Sequence, residues 1–140
     1  MGNKKILIVD DDPDVRLGMH VRLKANHYDT FFAADAISSI AEALKHLPDL
    51  IILDLGLPAG DGFVVMERLQ AIPGLALIPI VIVSARDAHA NKARAVKAGA
   101  KAFLQKPVDT AELLAVIRQA LGDPEHSGNP TIYDLGSSVS

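Results

Sequence analysis

Five short apolar runs constrain this chain most: Ile6 to Val9, Tyr28 to Ala33, Leu50 to Leu53, Ile80 to Val83 and Ala102 to Leu104, of which the second and fifth are the weaker. Each has the length of a strand. Between them the apolar residues recur with helical period. Val15, Met19 and Leu23 lie four residues apart, as do Val65 and Leu69. Ile37, Ile40, Ala41 and Leu44 mark one helical face, and Leu113, Leu114, Ile117, Ala120 and Leu121 mark another. Five strands each followed by a helix predict an α/β fold, a parallel sheet covered on both faces. Right-handed crossovers then make it a doubly wound five-stranded (βα)5 sheet with flanking helices.

The fourth helix, about Ala88 to Ala98, is predicted to differ from the others. Its stretch "AHANKARAVKAGA" offers mostly alanine and one larger aliphatic, Val96, with Gly99 placed as the C′ residue. Such a helix buries little and shifts easily. Past Leu121 the stretch "GDPEHSGNPTIYDLGSSVS", residues 122–140, is rich in Gly, Pro and Ser without periodicity and reads as a flexible tail or linker. Residues 1–121 form the one domain that this length suggests.

Composition narrows the function classes. Lys and Arg number 14 against 17 Asp and Glu, with no basic run, so direct nucleic-acid binding is not expected. The absence of cysteine removes disulfides, thiolate metal sites and cysteine nucleophiles together. The longest apolar run, Gly74 to Ala85, is broken by Pro79 and is too short for a membrane span. These features read as a cytoplasmic protein. The histidines, His20, His27, His46, His89 and His126, show no metal-ligand spacing.

The chemistry concentrates where the strands end. The stretch "ILIVDDDPD" runs from an apolar strand into four acids. Pro13 suits the first position of a helix, which makes Asp12 the N-cap and puts Asp14 in the first turn, where its charge complements the helix dipole. Asp10 and Asp11 have no such duty. Like charges about 4 Å apart repel by roughly 4 kcal/mol at an effective dielectric of about 20, so the pair sits in open water, shares a proton or holds a cation. In an open parallel sheet ligands bind outside the carboxyl ends of the strands. There Asp10 and Asp11 follow the first strand, Asp54 the third and Ser84 the fourth, while the fifth reaches Lys106.

Taken singly, Asp54 is a turn or cap acid, Ser84 a turn hydroxyl and Lys106 a solvated charge. Together they converge on one rim and make coherent chemistry. Three oxygen-only carboxylates are a hard site that favours Mg²⁺. Asp54 can act as a nucleophile toward phosphorus and form an acyl phosphate. Mg²⁺, Lys106 and Ser84 would share the oxygens of the transferring group. Ala85 leaves room for it to enter.

The stretches "ILIVDDD", "LIILDLGLPAGDGF", "PIVIVSA" and "GAKAFLQKPV" resemble, in order and spacing, the receiver domain of two-component response regulators. The resemblance runs from about Lys4 to Leu121. It implies a flavodoxin-like strand order 2-1-3-4-5, with Asp54 as phosphoacceptor and Asp10, Asp11, Asp54 and the backbone carbonyl of Gly56 as Mg²⁺ ligands. It also implies Ser84 as the switch hydroxyl, Lys106 as the family's lysine and a cis Lys106-Pro107 bond that aims the ammonium into the site. Phe103 falls on the switch aromatic, often tyrosine; as phenylalanine it can mark rotation by packing but not by a hydroxyl bond, and it reads equally as core. Gly56 and Arg86 occupy variable positions that tune dephosphorylation in the family.

The partner implied is a histidine kinase or histidine phosphotransfer protein, which brings the phosphoryl group on its own histidine. Acetyl phosphate is a second donor, and autodephosphorylation removes the phosphoryl group by hydrolysis. The phosphorylated form would switch the surface of the fourth helix, fifth strand and fifth helix, through which a homodimer can form or an output domain outside this chain can be engaged.

Three other readings compete. An enzyme of the haloacid-dehalogenase phosphatase type would use Asp10-x-Asp12, but Asp12 is taken as a cap and Asp54 would be idle. A flavodoxin-like binder would need a Ser/Thr/Gly-rich phosphate loop after the first strand, which is missing. An interaction module that is never phosphorylated usually lacks one of the acids or the lysine, and none is lost.

Overall fold

The computed structural model describes residues 2–57 and 62–122. In chain order the elements are β1 (Lys5–Val9), α1 (Pro13–Ala25), β2 (Asp29–Ala33), α2 (Ala36–His46), β3 (Leu50–Leu53), α3 (Gly62–Ala71), β4 (Ile80–Ser84), α4 (Ala88–Lys97), β5 (Ala102–Gln105) and α5 (Thr110–Leu121). All strand pairs are parallel, in the order β2-β1-β3-β4-β5. The expected fold class and strand order are both present. Residues 123–140, read above as a tail or linker, lie outside the described residues.

Alternation along the strands divides the core in two. Leu7, Val9, Ile51, Leu53, Ile80, Ile82 and Phe103 face one layer with residues of α2, α3 and α4. Ile6, Ile8, Leu50, Ile52, Val81, Val83 and Leu104 face the other, against Met19 and Leu23 of α1 and Leu113, Leu114 and Ile117 of α5. Burial on both faces is why the central strands read as unbroken apolar runs rather than alternating ones.

Four helices begin on an aspartate. Asp12, Asp35, Asp87 and Asp109 are the N-caps of α1, α2, α4 and α5, each accepting a backbone N–H of its first turn. Pro13 is the first residue of α1, as its fixed φ favours. Capping thus accounts for these acids and leaves Asp10, Asp11 and Asp54 outside it.

The expected face of α2 is corrected by the structure. Ile37 is 79% exposed and Leu44 50%, while Ala36, Ser39 and Ala43 are buried against the sheet. Small residues let this helix approach closely, and the larger aliphatics flank that contact. Of the expected face only Ile40 packs against the core, and Ile37, Ile40, Ala41 and Leu44 line an open groove with Arg68, Ala71 and Ile72. The expectation that α4 buries little and ends at Gly99 holds: its one buried side chain is Ala95, Val96 is exposed, and Gly99 follows with φ 109°.

Candidate functional site

Hydrogen bonds of the ladder type continue one step past the strands and fix the rim. The Asp10 N–H donates to Ala33 O at 3.1 Å, the Asp54 N–H to Val9 O at 2.9 Å and the Lys106 N–H to Ser84 O at 2.9 Å. Gly62 packs against the backbone that follows Asp54, its N–H donating to Leu55 O at 3.1 Å. A Cβ there would lie 2.6 Å from Leu55 Cα and 2.8 Å from Asp54 O, so only glycine allows α3 to start this close.

Asp10, Asp11 and Asp54 each offer a carboxylate oxygen within 4.8 Å of the others. Asp10 and Asp54 are buried and Asp11 is exposed. Lys106 Nζ donates to Asp10 Oδ2 at 2.6 Å and to Asp54 Oδ2 at 3.3 Å. The remaining oxygens accept backbone donors, Asp10 Oδ1 from the Asp12 N–H at 2.9 Å and Asp54 Oδ1 from the Gly56 N–H at 3.0 Å. Burial works against the Lys106 charge, but the hydrogen bond and charge of Asp10, and then Asp54, outweigh it and raise this ammonium above its ordinary pKa. Lys106 is bonded to two of the three carboxylates and Asp11 stands exposed beside them, an arrangement that leaves oxygen donors for a divalent cation. The donors are oxygen alone, a set that suits Mg²⁺.

The other expected residues stand nearby. Ser84 is fully buried at the end of β4, and its Oγ accepts the Arg86 N–H at 3.1 Å. Phe103 is buried in the same core layer as Phe63, Ile82 and Ala95. Gly56 is exposed beside Asp54, and Lys106-Pro107 is cis.

Two positions next to these were not singled out by sequence reasoning. Arg16 Nη1 donates to the Asp10 carbonyl at 2.7 Å, bracing the loop that carries the acid pair. Gln105 bonds the loop after β4. An Arg on the first turns of a helix and a Gln at a strand end carry no periodic or spacing signal that would have marked them.

A family model described as the response regulator receiver domain matches residues 6–118. The chain belongs to this family. As a receiver domain it is part of two-component signalling. Response regulator PleD of Caulobacter vibrioides is 37% identical over 115 residues, covering 81% of this chain and 25% of that protein. The DNA-binding dual master transcriptional regulator RpaA of Synechocystis is 39% identical over 117 residues, covering 84% of this chain and 48% of that protein. This chain therefore spans half or less of these curated relatives.

Among solved structures, the receiver domain of sensor histidine kinase PA1611 from Pseudomonas aeruginosa, which has a magnesium ion coordinated in its active site cleft, matches with TM-score 0.78 and 26% identity. The match covers 87% of this chain and 99% of that one. Chemotaxis response regulator CheY4 of Vibrio cholerae matches with TM-score 0.78 and 26% identity over 85% of this chain and 99% of that one. Among the described residues, no helix is long and apolar enough to cross a membrane.

Proposed function

We propose that this receiver takes a phosphoryl group on Asp54 from the phosphohistidine of a histidine kinase or histidine phosphotransfer protein. Asp10, Asp11, Asp54 and the Gly56 carbonyl would hold Mg²⁺. The observation that carries this reading is the meeting of three carboxylates within 4.8 Å, two of them bonded to Lys106, at the carboxyl edge of the sheet.

A carboxylate oxygen of Asp54 bonds to phosphorus as the P–N bond to the donor histidine opens, and the imidazole leaves with the electron pair. Mg²⁺ bound there would supply charge neutralisation to the transferring group. Lys106, 3.3 Å from Asp54 Oδ2, would pair with a phosphoryl oxygen. The Ser84 hydroxyl donates to another after moving inward. Acetyl phosphate serves as a second donor, and attack of water on phosphorus breaks the Asp54 O–P bond, restoring the carboxylate and releasing inorganic phosphate.

The acyl phosphate then shifts populations. Movement of Ser84 draws on the loop into α4, whose single buried side chain resists little. Phe103, on the neighbouring strand, repacks into the space that Ser84 leaves. The surface of α4, β5 and α5 is the output, read by a second copy or by an output domain or protein in the cytoplasm.

Titration with beryllofluoride and Mg²⁺, followed by amide shifts, tests this reading. Large shifts at Gly56, Arg86 and Lys106, extending over α4 and β5 and lost in Asp54→Asn, are expected. Shifts absent from the rim, or unchanged by the substitution, contradict it.

A further inference from the structure

Gln105 is the exposed last residue of β5, next to Lys106, yet its carboxamide makes three hydrogen bonds to the segment from Ser84 to Ala88. Nε2 donates to Ser84 O at 3.3 Å and to Ala85 O at 3.0 Å, and Oε1 accepts the Ala88 N–H at 2.9 Å. Ala88 opens α4, and its N–H is one of the donors that a helix start leaves without an intrahelical partner. Asp87, the N-cap, accepts the next one, from His89. The start of α4 is therefore fastened from the neighbouring strand as well as from its own cap.

This fastening matters because packing supplies so little. Ala95 is the one buried side chain of α4. The far end of the helix is held in the same polar way, by Gln70 Nε2 donating to Ala98 O at 3.0 Å. Between them the Arg94 guanidinium lies 3.8 Å over the Phe63 ring. The Ser84 carbonyl is shared with the Lys106 N–H, so the ladder holds the strand end while the Gln105 amide holds the loop beyond it.

We propose that Gln105 is a positioning residue that keeps the Ala85–Ala88 loop in its resting place and thereby sets how readily Ser84 moves toward Asp54. The inference rests on the phosphoacceptor reading of Asp54 and adds the element that opposes the switch. Movement of Ser84 carries Ala85 with it, and the Gln105 bonds to Ala85 and Ala88 must lengthen or break. Losing them from the resting state alone shifts the equilibrium by about fivefold, as expected for a net loss near one exposed hydrogen bond.

The test compares the full chain with Gln105→Ala and Gln105→Glu. The glutamate keeps an acceptor for the Ala88 N–H but has no donor for the Ala85 carbonyl. In the free proteins, amide exchange at Ala88 is expected to be about tenfold faster in Gln105→Ala and close to wild type in Gln105→Glu. Beryllofluoride with Mg²⁺ is expected to bind about fivefold tighter to Gln105→Ala, with Gln105→Glu between. A purely structural loss would leave binding unchanged or weaken it. Unchanged exchange at Ala88, or mimic binding no tighter than wild type, overturns the inference while wild-type binding still upholds the phosphoacceptor reading. If the wild type binds no mimic, both fall.

Discussion

Lys106 and Asp10, 96 positions apart in sequence, are joined by a 2.6 Å hydrogen bond, shorter than the 3.3 Å contact of the same ammonium with Asp54. The Lys106 ammonium is thus engaged chiefly with the acid proposed to bind metal. Mg²⁺ and Lys106 then compete for the Asp10 carboxylate, and two positive charges a few Å apart repel by several kcal/mol at an effective dielectric of about 20.

Lys106→Met is expected to bind Mg²⁺ about tenfold more tightly than wild type, a gain of about 1.4 kcal/mol, and to lose most acyl phosphate formation. Calorimetric titration with Mg²⁺ checks the first effect and mass measurement the second. Weaker metal binding in the variant would show that Lys106 orders the acids rather than competing for them.

Gly62→Ala is expected to destabilise the domain by about 1–3 kcal/mol, the usual range for overpacking. The new methyl would meet the backbone of Asp54 and Leu55, neither of which can swing aside as a side chain can. Urea unfolding measures the loss. The same variant should accept phosphoryl groups more slowly, because the strain falls on the peptide that carries Asp54.

The cap of α2 adds a pH dependence. The Asp35 carboxyl is held below its ordinary pKa, first by the hydrogen bond from the Ser38 N–H and then by the Ser38 hydroxyl. A carboxyl depressed in the folded state contributes stability that is fully present above its unfolded pKa, about 3.9, and is lost as pH falls through the folded value. Asp35→Asn keeps a capping oxygen but does not titrate. The difference in melting temperature between wild type and Asp35→Asn should narrow as pH is lowered from about 5 to about 3; a constant difference argues against this cap.

Much of the architecture was legible because the central strands are buried on both sides. Ile6 to Val9 and Leu50 to Leu53 could be nothing but interior strands, and once they are parallel, Asp10, Asp54, Ser84 and Lys106 must share an edge. The face of α2 was misread because aliphatic periodicity marks a packed face only where size is wanted. Ala36, Ser39 and Ala43 pack by being small, which displaces Ile37 into solvent. Gln105 acts on the backbone of a distant loop, and Arg16 and Gly62 on nearby backbone, through contacts that exist only after folding. The caps, by contrast, are local, and Asp12 before Pro13 announced the start of α1 on its own.

The central claim is that Asp54 becomes an acyl phosphate with help from a metal held by Asp10 and Asp11. Intact-mass analysis after incubation with acetyl phosphate and Mg²⁺, beside Asp54→Asn and a chelator control, tests it most directly. The account predicts one added phosphoryl group on the wild type, abolished by the chelator and by the substitution. No gain of mass, or a gain that Asp54→Asn retains, would contradict it.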